Sequence, residues 1–209
     1  KAKLKKGFIL QMAKEPTQEQ QLIIDHPGNT VVTAKPGSGK TYTVVEKIGK
    51  VLTSLPDFKG VIAISFTNKA SDELKKRCRQ KGLSAKQSFF GTIDKFYISQ
   101  IIIPFASHLT NCMPEYSVCN DINQDSQYSG LIDFSITPSS EQEALLIASL
   151  SEGKIFLEKS GETALYILQK VPGALKYIRA RFSHIFIDEY QDCGEIQHRI
   201  FLQLVNAGL

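Results

Sequence analysis

The sequence predicts an α/β fold in which a parallel sheet is covered by helices on both faces and is interrupted by a small, mainly helical inserted subdomain. Two observations carry this. Short apolar, β-branched runs alternate with longer segments whose apolar residues recur at helical spacing, the pattern of successive β-α units. A glycine-rich turn, Ala34-Lys35-Pro36-Gly37-Ser38-Gly39-Lys40-Thr41, joins one such run to one such helix. With 209 residues, 42% of them hydrophobic, the chain is long enough for one full α/β domain plus a modest insertion.

The basic opening KAKLKKGFILQMAK, residues 1–14, reads as a solvated leader or tag remnant. The first helix is expected from Thr17 to Asp25, with Thr17 as cap and Gln20 as the third helical residue, until His26-Pro27-Gly28 breaks it. Thr30 to Ala34 (TVVTA) is short and β-branched and is expected to be a buried strand. After the glycine-rich turn, Val44, Val45, Ile48, Val51, Leu52 and Leu55 keep helical spacing up to Pro56.

A second strand is expected at Val61 to Phe66. The helix after it places Ala70, Leu74 and Cys78 on one face and gathers Lys75, Lys76, Arg77 and Arg79 towards its end. Phe89 to Ile93 is a third apolar piece leading into the segment Lys95 to Ile103. His184 to Asp188 is a fourth, followed by a helix carrying Ile196, Ile200 and Leu204. Residues 104–140 are polar with weak periodicity, and 142–182 look helical in several short pieces. The expected division is therefore 15–103 and 183–209 for the sheet domain and 104–182 for the insertion.

The glycine-rich turn fits a phosphate-binding loop, with Ala34 at its first position. Gly37 and Gly39 permit a tight wrap of backbone N–H groups around phosphate. The start of the following helix adds its positive dipole end. Lys40 supplies a point charge and the Thr41 hydroxyl a ligand for Mg²⁺. A carboxylate emerging from the carboxyl end of another strand would face the same crevice. Asp188 is so placed after HIFI, and Glu189 beside it can accept a proton from attacking water. Alone, that acidic pair could equally favour the N-terminus of the next helix.

The series PTQEQ, AKPGSGKT, SFTNKASDELKKR, GTIDKF and IDEYQD, in this order, resembles the successive motifs of the UvrD/Rep/PcrA-type superfamily 1 DNA helicases over nearly all of the chain outside the leader and the insertion. The resemblance implies a RecA-like P-loop NTPase domain. It implies ATP and Mg²⁺ as cofactors, single-stranded DNA as partner, and a second RecA-like domain, absent from this chain, whose arginines complete the site. This portion alone is then only weakly active. A nuclease is a further possible partner.

Residue by residue, Gln20 matches an adenine-reading glutamine, although a capping box with Thr17 would look the same. Lys35, Pro36, Gly37, Ser38, Gly39, Lys40 and Thr41 match the phosphate loop, and Thr41 and Asp188 the metal contacts. Glu189 matches the catalytic base, and Gln191 a glutamine near the γ-phosphate. Phe66, Thr67, Asn68 and Lys69 match a first DNA-contact motif, where a core phenylalanine followed by an N-capping Asn68 is the plain alternative. Thr92 and Phe96 match a second motif, in which Asp94 stands where the family carries histidine. An aspartate there would repel a phosphate. The short insertion puts duplex unwinding in doubt.

Composition narrows the field less. Twenty-five Lys and Arg against 21 Asp and Glu give +4, mildly favourable for a polyanion. The four cysteines show no C-x-x-C pair and read as reduced thiols, which points to the cytoplasm. No apolar run approaches the ~20 residues of a membrane span. A small-molecule kinase needs no second carboxylate beside Asp188, and a GTPase needs an Asn-Lys-x-Asp segment that is absent. A nucleotide-gated interaction subunit is the alternative reading of the same motifs.

Overall fold

The computed structural model describes residues 15–35 and 37–209; the leader and Pro36 of the phosphate loop lie outside the described residues. Helix α1 (Gln18–Asp25) is closed by the expected capping box: the Gln20 N–H donates to Thr17 Oγ1 at 3.3 Å, and the Thr17 N–H donates to Gln20 Oε1 at 3.0 Å. Helix α2 (Lys40–Ser54) starts directly after Gly39, whose φ of +92° lies in the left-handed region open to glycine.

Three parallel strands follow: β1 (Gly60–Ser65), β2 (Phe89–Thr92) and, much later, β5 (Phe182–Ile187), in the order β2-β1-β5. Between β1 and β2 lies α3 (Asn68–Gln80), whose N-cap is Thr67. Central β1 is buried throughout because both its faces are covered. Val61 and Ala63 pack with Val45, Ile48 and Leu52 of α2 and Leu74 and Cys78 of α3. Ile62 and Ile64 join the larger core on the opposite face.

That larger core is built from the residues between β2 and β5 and from the last helix. After β2 the chain runs as α4 (Ile93–Phe96), a π-helical stretch Tyr97–Ile102 and α5 (Ile103–Phe105). Pro104, in the first turn of α5, supplies no N–H to this run. Then come α6 (Ser107–Thr110), β3 (Ser117–Cys119), α7 (Ser140–Ser151), β4 (Lys154–Phe156), α8 (Ser160–Lys170) and α9 (Pro172–Arg181). Strands β3 and β4 pair in parallel as a separate small sheet. Helix α10 (Glu195–Asn206) closes the core through Ile200, Phe201 and Leu204.

One expected element is corrected. Thr30 to Ala34 is neither a strand nor buried: Val31 is 85% and Val32 41% exposed. β-propensity expresses the fit to a neighbouring strand more than a backbone preference, and no described strand pairs with this segment. The phosphate loop is therefore entered from an unpaired stretch. No described helix is long and apolar enough to cross a membrane.

Candidate active site

The site forms where β1, β2 and β5 end. Ile64 pairs with Ile187 on one side of β1 and Ser65 with Thr92 on the other. The turns after all three strands consequently leave the sheet along one edge. The Asp188 N–H extends the ladder by donating to the Ile64 carbonyl at 2.9 Å.

Glu189 follows with φ +56° and ψ +48°, a left-handed conformation that costs a non-glycine residue about 1–2 kcal/mol. The bend ends the strand, and the Glu189 carboxylate meets Lys40 across 149 residues of sequence: Lys40 Nζ to Glu189 Oε1 is 3.2 Å. Its other oxygen, Oε2, accepts from Gln191 Nε2 at 2.5 Å. The Gln191 hydrogen bond, and next the Lys40 ammonium, hold the Glu189 carboxyl below the usual carboxylate range. Asp188 moves the other way: burial, then the Glu189 charge, raises its carboxyl, and Lys40 offsets this only in part.

Around Lys40 the glycine-rich loop is open. A Cβ at Gly37, whose φ is +79°, would meet none of the described residues within 4 Å, so none of them packs against the loop at that point. Ser38 and Lys35 are exposed, and the Ser38 N–H closes a turn onto the Lys35 carbonyl at 3.2 Å. Gln20 forms the cap and also reaches the loop: its Oε1 completes the start of α1, while its Nε2 donates to the Ser38 carbonyl at 3.1 Å. That link between the first helix and the loop is not legible in the motif. Thr41, half-buried in the first turn of α2, and Asp188 supply hard oxygen donors of the kind Mg²⁺ takes together with phosphate oxygens. The exposed loop, the lysine and this donor set fit a magnesium nucleotide.

The second set of expected residues lies along the same edge, on the other side of β1. Thr67, Asn68 and Lys69 are exposed, and Phe66 and Thr92 are half-buried. Thr67, not Asn68, caps α3, its Oγ1 accepting from the Ala70 N–H at 3.2 Å. Phe96 is corrected: it is 0% exposed and packs edge-on against Phe89 with ring centroids 5.5 Å apart. It belongs to the core and presents no face to a nucleic-acid base. Asp94 does not face outward along the edge either; its Oδ1 accepts from Ser160 Oγ at 3.1 Å. Lys95, not counted among the site residues from the sequence, donates from Nζ to Asn68 Oδ1 at 2.7 Å and ties the two turns together.

The raised Asp188 carboxyl carries a stability prediction. A group whose folded pKa is raised costs stability when ionised, so the cost is absent below the ordinary carboxylate range and complete above the folded value. With chelator present and no nucleotide, Asp188→Asn is expected to unfold at a higher temperature than the parent at pH 7. The difference should shrink as pH falls towards 4, which thermal unfolding at several pH values would check.

A parallel sheet with helices on both faces, carrying a phosphate loop opposite an acidic pair at its carboxyl edge, defines a RecA-like P-loop NTPase. The model of the UvrD/REP helicase N-terminal domain matches residues 16–155 and 142–208, and the chain belongs to that family. It is 34% identical over 186 residues to Gabija protein GajB of Bacillus cereus (strain VD045), a match spanning 88% of this chain and 36% of that protein. To the ATP-dependent DNA helicase UvrD1 of Mycobacterium tuberculosis (strain ATCC 25618 / H37Rv) it is 24% identical over 233 residues, 90% of this chain and 30% of that one. A shorter match, 43% over 65 residues, covers 29% of this chain and 5% of one subunit of the ATP-dependent helicase/nuclease of Clostridium novyi (strain NT). The chain thus spans about a third of the length of the first two relatives.

Proposed function

We propose that this chain is the ATP-binding part of a motor that couples ATP hydrolysis to movement on single-stranded DNA. The observation that carries the reading is the meeting of Lys40 and Glu189 at 3.2 Å, on the same sheet edge as the exposed polar turns after β1 and β2. In this reading the loop amides and Lys40 bind the β and γ phosphates. Thr41 and Asp188 would hold the Mg²⁺ shell, and the ion would supply neutralisation of phosphate charge. Glu189, kept ionised by Gln191 and Lys40, accepts the proton of the attacking water. Gln20 reaches the loop from α1 and couples nucleotide occupancy to that helix.

The open loop calls for a second surface over the phosphates, which in this reading is another RecA-like domain supplying arginines. An arginine of that kind is worth ~10³ to 10⁵ in rate. Thr67, Asn68, Lys69 and Thr92 then form a track for the DNA backbone. The helicase/nuclease name of one relative makes a nuclease a candidate partner.

The test is steady-state ATP turnover by the complete protein with and without single-stranded DNA, beside Lys40→Ala. Turnover should rise at least several-fold with DNA, and Lys40→Ala should abolish it at every DNA concentration. Nucleotide binding with no DNA response would replace this reading with that of a nucleotide-gated interaction subunit.

A further inference from the structure

We propose that Lys95 is a phosphodiester-contacting residue of the DNA track and that Asn68 presents it, an inference that rests on the motor reading above. Residue 94 cannot serve as the contact. It is an aspartate, and its Oδ1 is engaged by the Ser160 hydroxyl of α8 at 3.1 Å, so its charge is turned towards the insertion. The next residue has a different partner, on α3.

Lys95 is exposed, forms no ion pair among the described residues, and donates to the Asn68 side-chain oxygen at 2.7 Å. An ammonium has three N–H donors, so two remain for a ligand. With its oxygen taken by Lys95, the Asn68 amide points two further N–H donors away from that bond. Because Ser65 and Thr92 are partners across β1 and β2, these donors lie just beyond the ends of two adjacent strands, in the same turn as the exposed Thr67 and Lys69.

A cation without a carboxylate partner, flanked by neutral donors and a second lysine, matches the charge and hydrogen-bonding demand of consecutive phosphodiesters. Such contacts position a strand without reading its bases. Asp94 and Lys95 therefore divide the work: the carboxylate is held by Ser160 of α8, and the neighbouring ammonium, presented by Asn68, is left for phosphate.

The test is the affinity of the complete protein for a fluorescently labelled oligothymidine, read by anisotropy across a salt series. Lys95→Ala is expected to weaken binding about tenfold at moderate salt, the scale of one hydrogen bond to a charged group. It should also lower the slope of log K against log salt by about 0.7, the value for one phosphate of a single strand. Lys95→Arg should restore both, and matched thermal midpoints would show that the variants are folded. Tight, salt-dependent binding that Lys95→Ala leaves unchanged in slope and affinity would overturn the assignment of Lys95 while leaving the motor reading intact. Failure of the parent protein to bind the oligonucleotide at all would overturn both.

Discussion

Replacing Glu189 by glutamine in the complete protein is expected to lower DNA-stimulated ATP turnover by about 10²–10⁴-fold, the range general-base catalysis commonly supplies, while nucleotide binding persists or strengthens. The two effects separate because the carboxylate does two things. In the proposed reading it takes the proton of the attacking water, and it is also the counter-ion of Lys40 at 3.2 Å. A phosphate must compete with it for the ammonium. Removing the negative charge deletes the base and releases the lysine at once.

The expected pH dependence has the same origin. Gln191 and then Lys40 hold the Glu189 carboxyl below its ordinary range. The base is therefore present throughout the neutral range and is lost only as pH falls through that depressed value. In the proposed reading Lys40 turns to phosphate, which removes one of the two causes and makes the carboxyl a stronger proton acceptor. Measurements of turnover and of equilibrium binding of a fluorescent ATP analogue would check the pair of effects. A glutamine variant with undiminished turnover would remove Glu189 from the reaction.

The parts of this site that can be read from the sequence are those set by local patterns. The Thr17–Gln20 box and the apolar spacing of Val45, Ile48 and Leu52 each depend on residues within a few positions of one another. What cannot be read depends on distant partners. Thr30 to Ala34 has the composition of a strand, but a strand exists only against a neighbour, and none of the described strands is one. Strands β3 and β4 are three residues each, too short to show any period, and each is defined by the other. The π-helical stretch Tyr97–Ile102 lies before Pro104 in a run whose apolar spacing does not distinguish it from an α-helix. Gln20 joins the two cases: its cap is local and legible, whereas its hold on Ser38 crosses 18 residues and is not.

Phe96 is the residue where motif and packing part, and the variants Phe96→Ala and Phe96→Leu should divide accordingly. The ring is fully buried between Phe89, against which it packs edge-on at 5.5 Å, and Tyr97, 6.2 Å away, in the core beneath Ile62 and Ile64. Truncation to alanine removes that buried surface and leaves a cavity, so Phe96→Ala should cost about 3–5 kcal/mol in the unfolding of the domain that contains it. Leucine keeps most of the apolar volume, and Phe96→Leu should therefore retain a folded protein whose affinity for oligothymidine stays close to that of the parent. A ring that stacked on a base would behave differently, because loss of one such contact costs about 1–3 kcal/mol, or roughly tenfold and more in affinity. Urea unfolding and oligonucleotide anisotropy on the two variants distinguish the cases. A folded Phe96→Leu protein that binds DNA tenfold more weakly would return this ring to the DNA track and require the helical run after β2 to open when DNA binds.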